Sequence, residues 1–576
     1  MRPLHQAQQP NPSTPITTRR LAALLLLLAA FLSTRTAFAQ RVLGPATDAT
    51  VLPRGMVRVS LSPTWERGHE RYADGYGRTK KGSVESLAAD FNLDTLGLAQ
   101  LPALGAVNLG VRSILGGTGA LPLTLGTLST RFDRSIATTP FAIDVGVTRR
   151  LMVGVVIPFV STRTEVSLDP NPGGTNATVG LNSAYLSGTA GSNARARNQG
   201  VVTQLTSAAQ QLQALLQQCM GNTAPACSAV NADRAGAQAL VAAATSAATG
   251  IEGVYGVSAT KPGSRYAPWQ NGSVHKLVEA RLGNLSTSFA GFLGAPTGAS
   301  WIDARGLTGA APMGYADFQR IVTDPAYGVA ADSLISVELS RPGDIEFGAK
   351  FVVFDAFGLQ PPQRGAPGGV RVRFALGGAY RLGTALQDSV DLFADVGTGD
   401  GQTDLEGRAF LDLLVGTRFW ASAVARYTVQ QADEIVRRVP RVAHEPFPPA
   451  SNRIAVQRDL GDMLAIEVSP RWVVTDHFAL TGSWHFVRKG EDTYASVGTP
   501  AGGSTLDLSL LAQGTAQSSQ RALLSFTYSN LAHYFRRRAR APMEVSFTIG
   551  RTLSGWGNAP KQTVSGLSMR VYNQLF

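Results

Sequence analysis

The sequence predicts an all-β protein: a transmembrane antiparallel β-barrel of about fourteen strands with a helical insertion in one long external loop. Three observations predict it. The stretch Gly461–Lys489 alternates with a period of two. Leu464, Ile466, Val468, Pro470 and Trp472 take one face, and Glu467, Ser469 and Arg471 the other. After Thr475-Asp476-His477, Phe478, Leu480, Gly482, Trp484 and Phe486 repeat the apolar face, opposite Thr481, Ser483 and His485. Successive strand side chains point to opposite faces, and a tilted strand of about ten residues crosses a bilayer. Second, the same unit recurs along most of the chain. Third, the chain opens with an export signal and holds no second long apolar run.

The signal is Arg19-Arg20, the apolar run Leu21–Leu32 and the cleavage pattern Ala37-Phe38-Ala39. Residues 1–39 are therefore expected to be removed, leaving Gln40–Arg54 as a short periplasmic segment. The 576 residues carry a net charge of +12, nearly all through arginine. No nucleic-acid motif accompanies that charge, and the arginines are dispersed through strands and turns. They suit a polar lumen and anionic lipid headgroups, with no nucleic-acid partner expected.

The first barrel strands fall in residues 55–168. Gly55–Glu66 places Val57, Val59, Leu61 and Trp65 outward. Leu123–Ile136 is either a strand or the extension of the next one. Phe141–Thr148 and Leu151–Leu168 form a hairpin about Arg149-Arg150. Residues 169–331 interrupt the pattern, and residues 332–576 resume it. There Asp332–Ser340 turns at Arg341-Pro342-Gly343-Asp344 into Ile345–Phe357. Gly369–Leu382, Ser389–Val396, Thr403–Val415, Phe419–Gln430, the Gly461–Lys489 hairpin, Gln517–Ser529, Met543–Thr552 and Thr563–Phe576 follow. Alternation assigns to the lumen Glu346, Lys350, Arg371, Arg373, Asp391, Asp395, Asp404, Glu406, Arg408, Asp412, Arg426, Glu467, Arg471 and His485. Turns after Thr148, Ser340, Leu382, Val415 and Val474 are short, and the loops after Leu168, Phe357, Gln430 and Lys489 longer, the asymmetry of periplasmic and external loops. Trp420 and Trp472 are expected in the periplasmic aromatic girdle.

Ser192–Gly250 is rich in Ala and Gln and reads as two helices, Val201–Gln218 and Ser228–Thr249; Val274–Leu293 reads as a third. Cys219 and Cys227 sit between the first two, and in an exported chain they are expected to form a disulfide. The insertion caps the barrel or plugs it. Pro158, inside a strand, cannot donate to the ladder and signals a bulge or local gap in the wall.

No catalytic constellation emerges, so no enzyme activity, metal or cofactor is expected. Ser483 and His485 share a face without a third group to orient them. Gly397-Thr398-Gly399-Asp400-Gly401 lacks the following helix that would hold a phosphate.

Two phrases carry a resemblance: Pro140–Thr164, PFAIDVGVTRRLMVGVVIPFVSTRT, and Pro342–Phe351, PGDIEFGAKF. They resemble the repeated strand-turn-strand phrases of outer-membrane proteins associated with meta-pathway phenol degradation. That family is similar to the long-chain fatty-acid and aromatic-hydrocarbon transporters. The resemblance implies an outer-membrane location, membrane lipids and the barrel-assembly machinery as partners, and passive uptake of small hydrophobic or aromatic solutes. The inward charges leave a second reading open: a closed structural or adhesive barrel whose helical cap meets a partner. Oligomeric state is not legible in the sequence.

Overall fold

The computed structural model describes residues 47–76, 79–119, 121–173, 176–356, 369–416, 418–497 and 506–575. The export signal and Phe576 lie outside the described residues. Twelve antiparallel strands close into a barrel. They are β1 (Met56–Leu61, resuming as Thr64–Tyr72 beyond Ser62-Pro63), β2 (Leu128–Gly146), β3 (Leu151–Pro170) and β4 (Val337–Pro342 and Ile345–Asp355). After these come β5 (Val370–Leu382), β6 (Asp404–Val415), β7 (Phe419–Gln430) and β8 (Met463–Val473). The set ends with β9 (Phe478–Lys489), β10 (Gln517–Ser529), β11 (Met543–Trp556) and β12 (Ala559–Gln574). Each strand pairs with its sequence neighbours, and β1 closes the ring on β12, with Met56 opposite Gln574. Closure leaves no free edge, as a wall in lipid requires.

Alternation sets the two faces. On β3, Val153, Val155, Ile157 and Phe159 point outward, and Met152 and Thr162 are buried inside. The outward series then changes to Ser161, Arg163, Glu165, Ser167 and Asp169. The strand continues but leaves the apolar belt, so the upper halves of β2 and β3 stand above the bilayer. At the opposite rim, Phe419 pairs with Trp472 and Phe478 with Tyr528. Trp472 is 53% exposed and belongs to the girdle; Trp420, 4% exposed, faces inward against the buried Arg471, contrary to the expectation for it.

Fourteen expected strands become twelve for two reasons. Val337–Pro342 and Ile345–Asp355 form one strand, because β3 pairs along both. Pro342-Gly343-Asp344 has turn composition, but the long β3 ladder overrides it and leaves a bulge. Ser389–Val396 is not a strand. Its alternating residues find no partner, since β5 pairs directly with β6, Arg381 opposite Asp404. The connection after Leu382 is therefore a long loop rather than a short turn, and the loop expected after Phe357 lies outside the described residues. Leu123–Ile136 resolves as the start of β2. One external connection is short: Gly557 and Asn558, both with positive φ, make the two-residue turn between β11 and β12.

The cap has an apolar core. Helix α1 (Leu104–Leu115) lies in the β1–β2 connection, in a stretch without a clear pattern. The insertion contributes α2 (Gly188–Gln218), α3 (Arg234–Tyr255), α4 (Ser273–Leu293) and α5 (Tyr315–Thr323). Leu205 and Leu212 of α2, Ile251 and Val254 of α3, and Leu282 and Phe289 of α4 share one cluster with Val107 and Val111 of α1. The cluster also takes in Leu128 and Phe132 of β2, with Val166 and Leu168 of β3 packed against it, so the cap stands on those two strands. Helices α1 and α3 cross at Gly110 and Gly250: a methyl on Gly250 would lie 2.7 Å from the Gly110 carbonyl oxygen. Cys219 and Cys227 are bonded, with Cα atoms 5.4 Å apart.

Candidate functional site

The lumen wall divides in two. On β4–β8 it is charged. Arg381 bridges Asp404 at 2.7 Å, Glu346 at 3.2 Å and Glu406 at 3.4 Å. Arg408 reaches Glu346 at 2.7 Å and also pairs with Glu406, which accepts from Thr428 at 2.9 Å. Arg373 meets Asp355 at 3.2 Å, and Arg426 meets Glu467 at 3.5 Å. These side chains come from adjacent strands at one face, and each charge is held by an opposite one. The acidic partners Asp404, Glu406 and Glu467 are buried and the arginines partly exposed, so each arginine supplies the charge that keeps a buried carboxylate ionised.

The segment beginning at Thr47 enters this network rather than staying below the barrel. The Ala49 N–H donates to Asp412 at 3.1 Å, and Lys350 Nζ donates to the Asp48 carbonyl at 2.7 Å. Arg373 donates to the Thr50 hydroxyl at 3.0 Å and Arg426 to that of Thr47 at 2.9 Å. A short extended segment has unpaired backbone groups, and the charged wall satisfies them.

On β9–β12 and β1 the same face carries mostly hydroxyls. Ser469 donates to Ser483 at 2.8 Å; Ser525 and Thr548, Thr527 and Ser546, and Ser62 and Ser568 pair at 2.8–2.9 Å. Ion pairs here are fewer: Arg521 with Glu66 at 2.7 Å and Arg58 with Asp144 at 2.8 Å.

Most predicted lumen residues thus meet: Glu346, Lys350, Arg373, Asp404, Glu406, Arg408, Asp412, Arg426 and Glu467. Arg471 is buried inward, 1% exposed, with its guanidinium 5.9 Å from the Trp420 ring. His485 lies 4.0 Å from Glu467. Arg371 makes no ion pair among the described residues. Asp391 and Asp395 are not in the wall. Asp391 binds Arg438 at 2.6 Å and Arg453 at 2.9 Å in the external loops, and Asp395 accepts from the Ser389 N–H at 3.0 Å. They fail because their segment pairs with no strand. Arg381, at the centre of the network, was missed; its parity with Arg373 is the signal that finds it. Asp48 and Thr50 lie in a segment too short for any periodicity, and no sequence signal marks them.

At Pro158 the β3–β4 ladder breaks. Paired residues stop at Val156–Glu346 and resume at Phe159–Pro342, with one more residue on β4 than on β3. One bond spans the break, from Gly343 N–H to the Pro158 carbonyl at 2.8 Å. Both prolines lack the N–H that would close the rest. The loop after β5 covers the bulge. The Thr384 hydroxyl donates to the Gly343 carbonyl at 2.9 Å and accepts from the Ile345 N–H at 3.1 Å. The Thr398 hydroxyl donates to the Pro342 carbonyl at 3.1 Å. A cavity of about 380 Å³ opens here, lined by Ile136, Thr138, Pro158, Val160 and Thr162 among others.

Ser483 is bonded to Ser469 and makes no contact with His485 that would form a dyad. Among the described residues no group of three or more His, Cys, Asp or Glu is placed to hold a metal.

The class these features define is a closed twelve-stranded β-barrel with an apolar outer belt and a helical cap at one end. No family model and no curated protein matches the sequence. Among solved structures, the chain is similar to an outer-membrane channel from Pseudomonas putida F1 at 8% identity and a TM-score of 0.38, covering 92% of this chain and 99% of that one. A Pseudomonas aeruginosa FadL homologue gives 8% identity and a TM-score of 0.26, over 91% of each chain. The P. putida toluene transporter TodX gives 9% and 0.23, over 91% of this chain and 90% of that one. Likenesses this distant carry no argument about function, and the barrel is established by its own closed ladder.

Proposed function

We propose that the protein is an outer-membrane channel for passive uptake of small hydrophobic or aromatic solutes, which leave sideways through the wall at the β3–β4 bulge. The observation that carries this reading is the broken ladder at Pro158 and Pro342. It lies where the outward face is still apolar, at Ile157 and Phe159, and a cavity backs it. The axial route favours it too: residues 47–50 bond across a charged lumen, which suits an apolar solute poorly. The resemblance of Pro140–Thr164 and Pro342–Phe351 to the phenol-degradation barrels agrees with this solute class. The same reading takes membrane lipids and the barrel-assembly machinery as the partners of the barrel.

The second reading is a closed barrel whose cap binds a partner, and the same lacing by residues 47–50 favours it. Deleting Gly343 together with Pro158→Val and Pro342→Val restores an unbroken ladder. Toluene uptake into proteoliposomes should then fall by roughly tenfold, with the barrel still folded, as expected when a pathway rather than a fold is lost. Equal uptake by the native and repaired barrels would overturn lateral exit. No uptake above empty liposomes by either would favour the closed reading.

A further inference from the structure

We propose that the barrel carries a binding site for the phosphorylated headgroup of an outer-leaflet glycolipid, built by Arg67, Arg163 and Arg551. The site follows from register. Arg551 of β11 is opposite Thr563 of β12, which is opposite Arg67 of β1. Arg67 is opposite Ser135 of β2, and Ser135 opposite Arg163 of β3. Five adjacent strands thus present Arg, Thr, Arg, Ser and Arg along one row of the outer face. Strands lie about 4.8 Å apart, so successive arginines stand about 10 Å apart with a hydroxyl between them.

The row sits just beyond the apolar belt on the three strands that carry its arginines. On β1 the outward series is Leu61, Trp65, Arg67; on β11 it is Phe547, Ile549, Arg551; on β3 it is Ile157, Phe159, Ser161, Arg163. Trp65, 42% exposed, is two residues below Arg67, and indole rings favour the headgroup level. Acyl chains meeting Trp65, Ile549 and Phe159 would place a headgroup phosphate beside the arginines.

Charge leaves Arg67 and Arg551 of the row available. Two nearby carboxylates hold cations outside the row, Glu70 with Lys561 at 2.8 Å and Asp133 with Arg131 at 2.8 Å, whereas Glu165 is 2.8 Å from Arg163 and a phosphate would have to share that guanidinium with it. Arg163 also lies 3.9 Å from Glu338. Arg67 and Arg551 make no ion pair among the described residues. Between the strands is a cavity of about 630 Å³ lined by Arg67, Arg134, Arg163 and Arg551 and by the paired carboxylates of Glu70, Asp133 and Glu165. Arg134 lines it from the inner face, and its buried Nε has no hydrogen-bond partner. Guanidinium forks match phosphate oxygens in pairs, and no acidic side chain of the row competes for them at Arg67 or Arg551.

The test is binding of diphosphorylated lipid A to the full chain in detergent, with dephosphorylated lipid A and inorganic phosphate alone as comparisons. Lipid A should bind at least about tenfold more tightly than its dephosphorylated form. Arg67→Gln with Arg551→Gln should abolish that preference, Arg67→Lys with Arg551→Lys should keep part of it, and Arg488→Gln, at an exposed arginine on β9, should keep all of it. Heat-modifiable migration confirms that each variant is folded. A preference that survives the double glutamine variant would overturn the site. So would equal binding of the dephosphorylated lipid, or inorganic phosphate alone reproducing the effect of lipid A.

Discussion

The barrel and its cap are built by opposite rules in one chain. In the wall, Leu480, Phe526 and Phe547 point outward, and Glu467, Ser525 and Thr527 are buried. In the cap, Leu282, Phe289 and Ile251 are buried, and the polar residues of α2 and α3 are mostly exposed, with Asn198 the buried exception on α2. Each region follows its solvent: lipid outside the wall demands apolar surface and satisfied backbone, and water around the cap demands an apolar core. The difference teaches where each region's stability resides. The wall rests on a closed ladder that no single side chain maintains. The cap rests on one contiguous cluster that single truncations can damage.

The sharpest way to break that contrast is Phe289→Ala. Phe289 is fully buried between α4 and its neighbours, and truncating such a ring costs about 3–5 kcal/mol. The cap should become protease-sensitive across residues 169–331, while the folded and boiled chain still migrate differently. A barrel that unfolds along with the cap would show that the two are one cooperative unit.

Next is a pair of charges in one strand. Leu480 faces lipid, 38% exposed, and Ser483 faces the lumen. Leu480→Arg places a cation in the belt at a cost of about 2–4 kcal/mol, so the yield of folded barrel should fall. Ser483→Arg should assemble normally. The reverse order would mean the register of β9 is off by one residue.

The two rules also explain what was legible. Period-two alternation marks a wall between unlike solvents, so Glu346, Asp404, Glu406, Arg408 and Glu467 could be assigned inward from the chain alone. Strand count could not. Pro342-Gly343-Asp344 looks like a turn locally, and only the twenty-residue partner β3 makes it a bulge. Ser389–Val396 alternates without any strand to pair with. The cap's helices were readable where Leu and Ala recur at helical spacing, as in α2. Helix α1 was not, because Gly110 serves the crossing with α3, a contact distant in sequence. The lumen segment at Thr47–Thr50 escaped for the same reason: its partners lie on β4–β8.

A smaller effect tests the cap's link. Cys219 and Cys227 close a short loop between α2 and α3. In the chain-entropy model such a bond contributes about 2–3 kcal/mol. Cys219→Ser should raise protease cutting within Ser192–Gly250 and leave heat-modifiability unchanged. Free thiols in fresh, unreduced protein would remove the link altogether.

The smallest expected effect is on pH dependence, and it separates two parts of the external region. His275 of α4 is buried, with Nδ1 3.1 Å from the Tyr255 hydroxyl and Nε2 3.0 Å from Gln270. Burial lowers its pKa below 6.5, against the opposing pull of Glu279 at 3.5 Å. The folded cap therefore disfavours the proton. Its stability should be full above pH 6.5 and fall as the pH drops below that value, because the unfolded segment binds the proton more readily. His444, in the external connection between β7 and β8, behaves oppositely. Its hydrogen bond to Asp90 at 2.9 Å raises its pKa, helped by Asp74 at 3.2 Å and opposed by burial and Arg71. That contact should be strongest below pH 6.5 and weaken as the pH rises through the folded value. Limited proteolysis across pH 5–8 should thus expose the helices at the acid end and the His444 connection at the alkaline end. His275→Gln should flatten only the acid limb and His444→Gln only the alkaline one. If one substitution removes both limbs, the cap and the connection open together, and the division between them is not real.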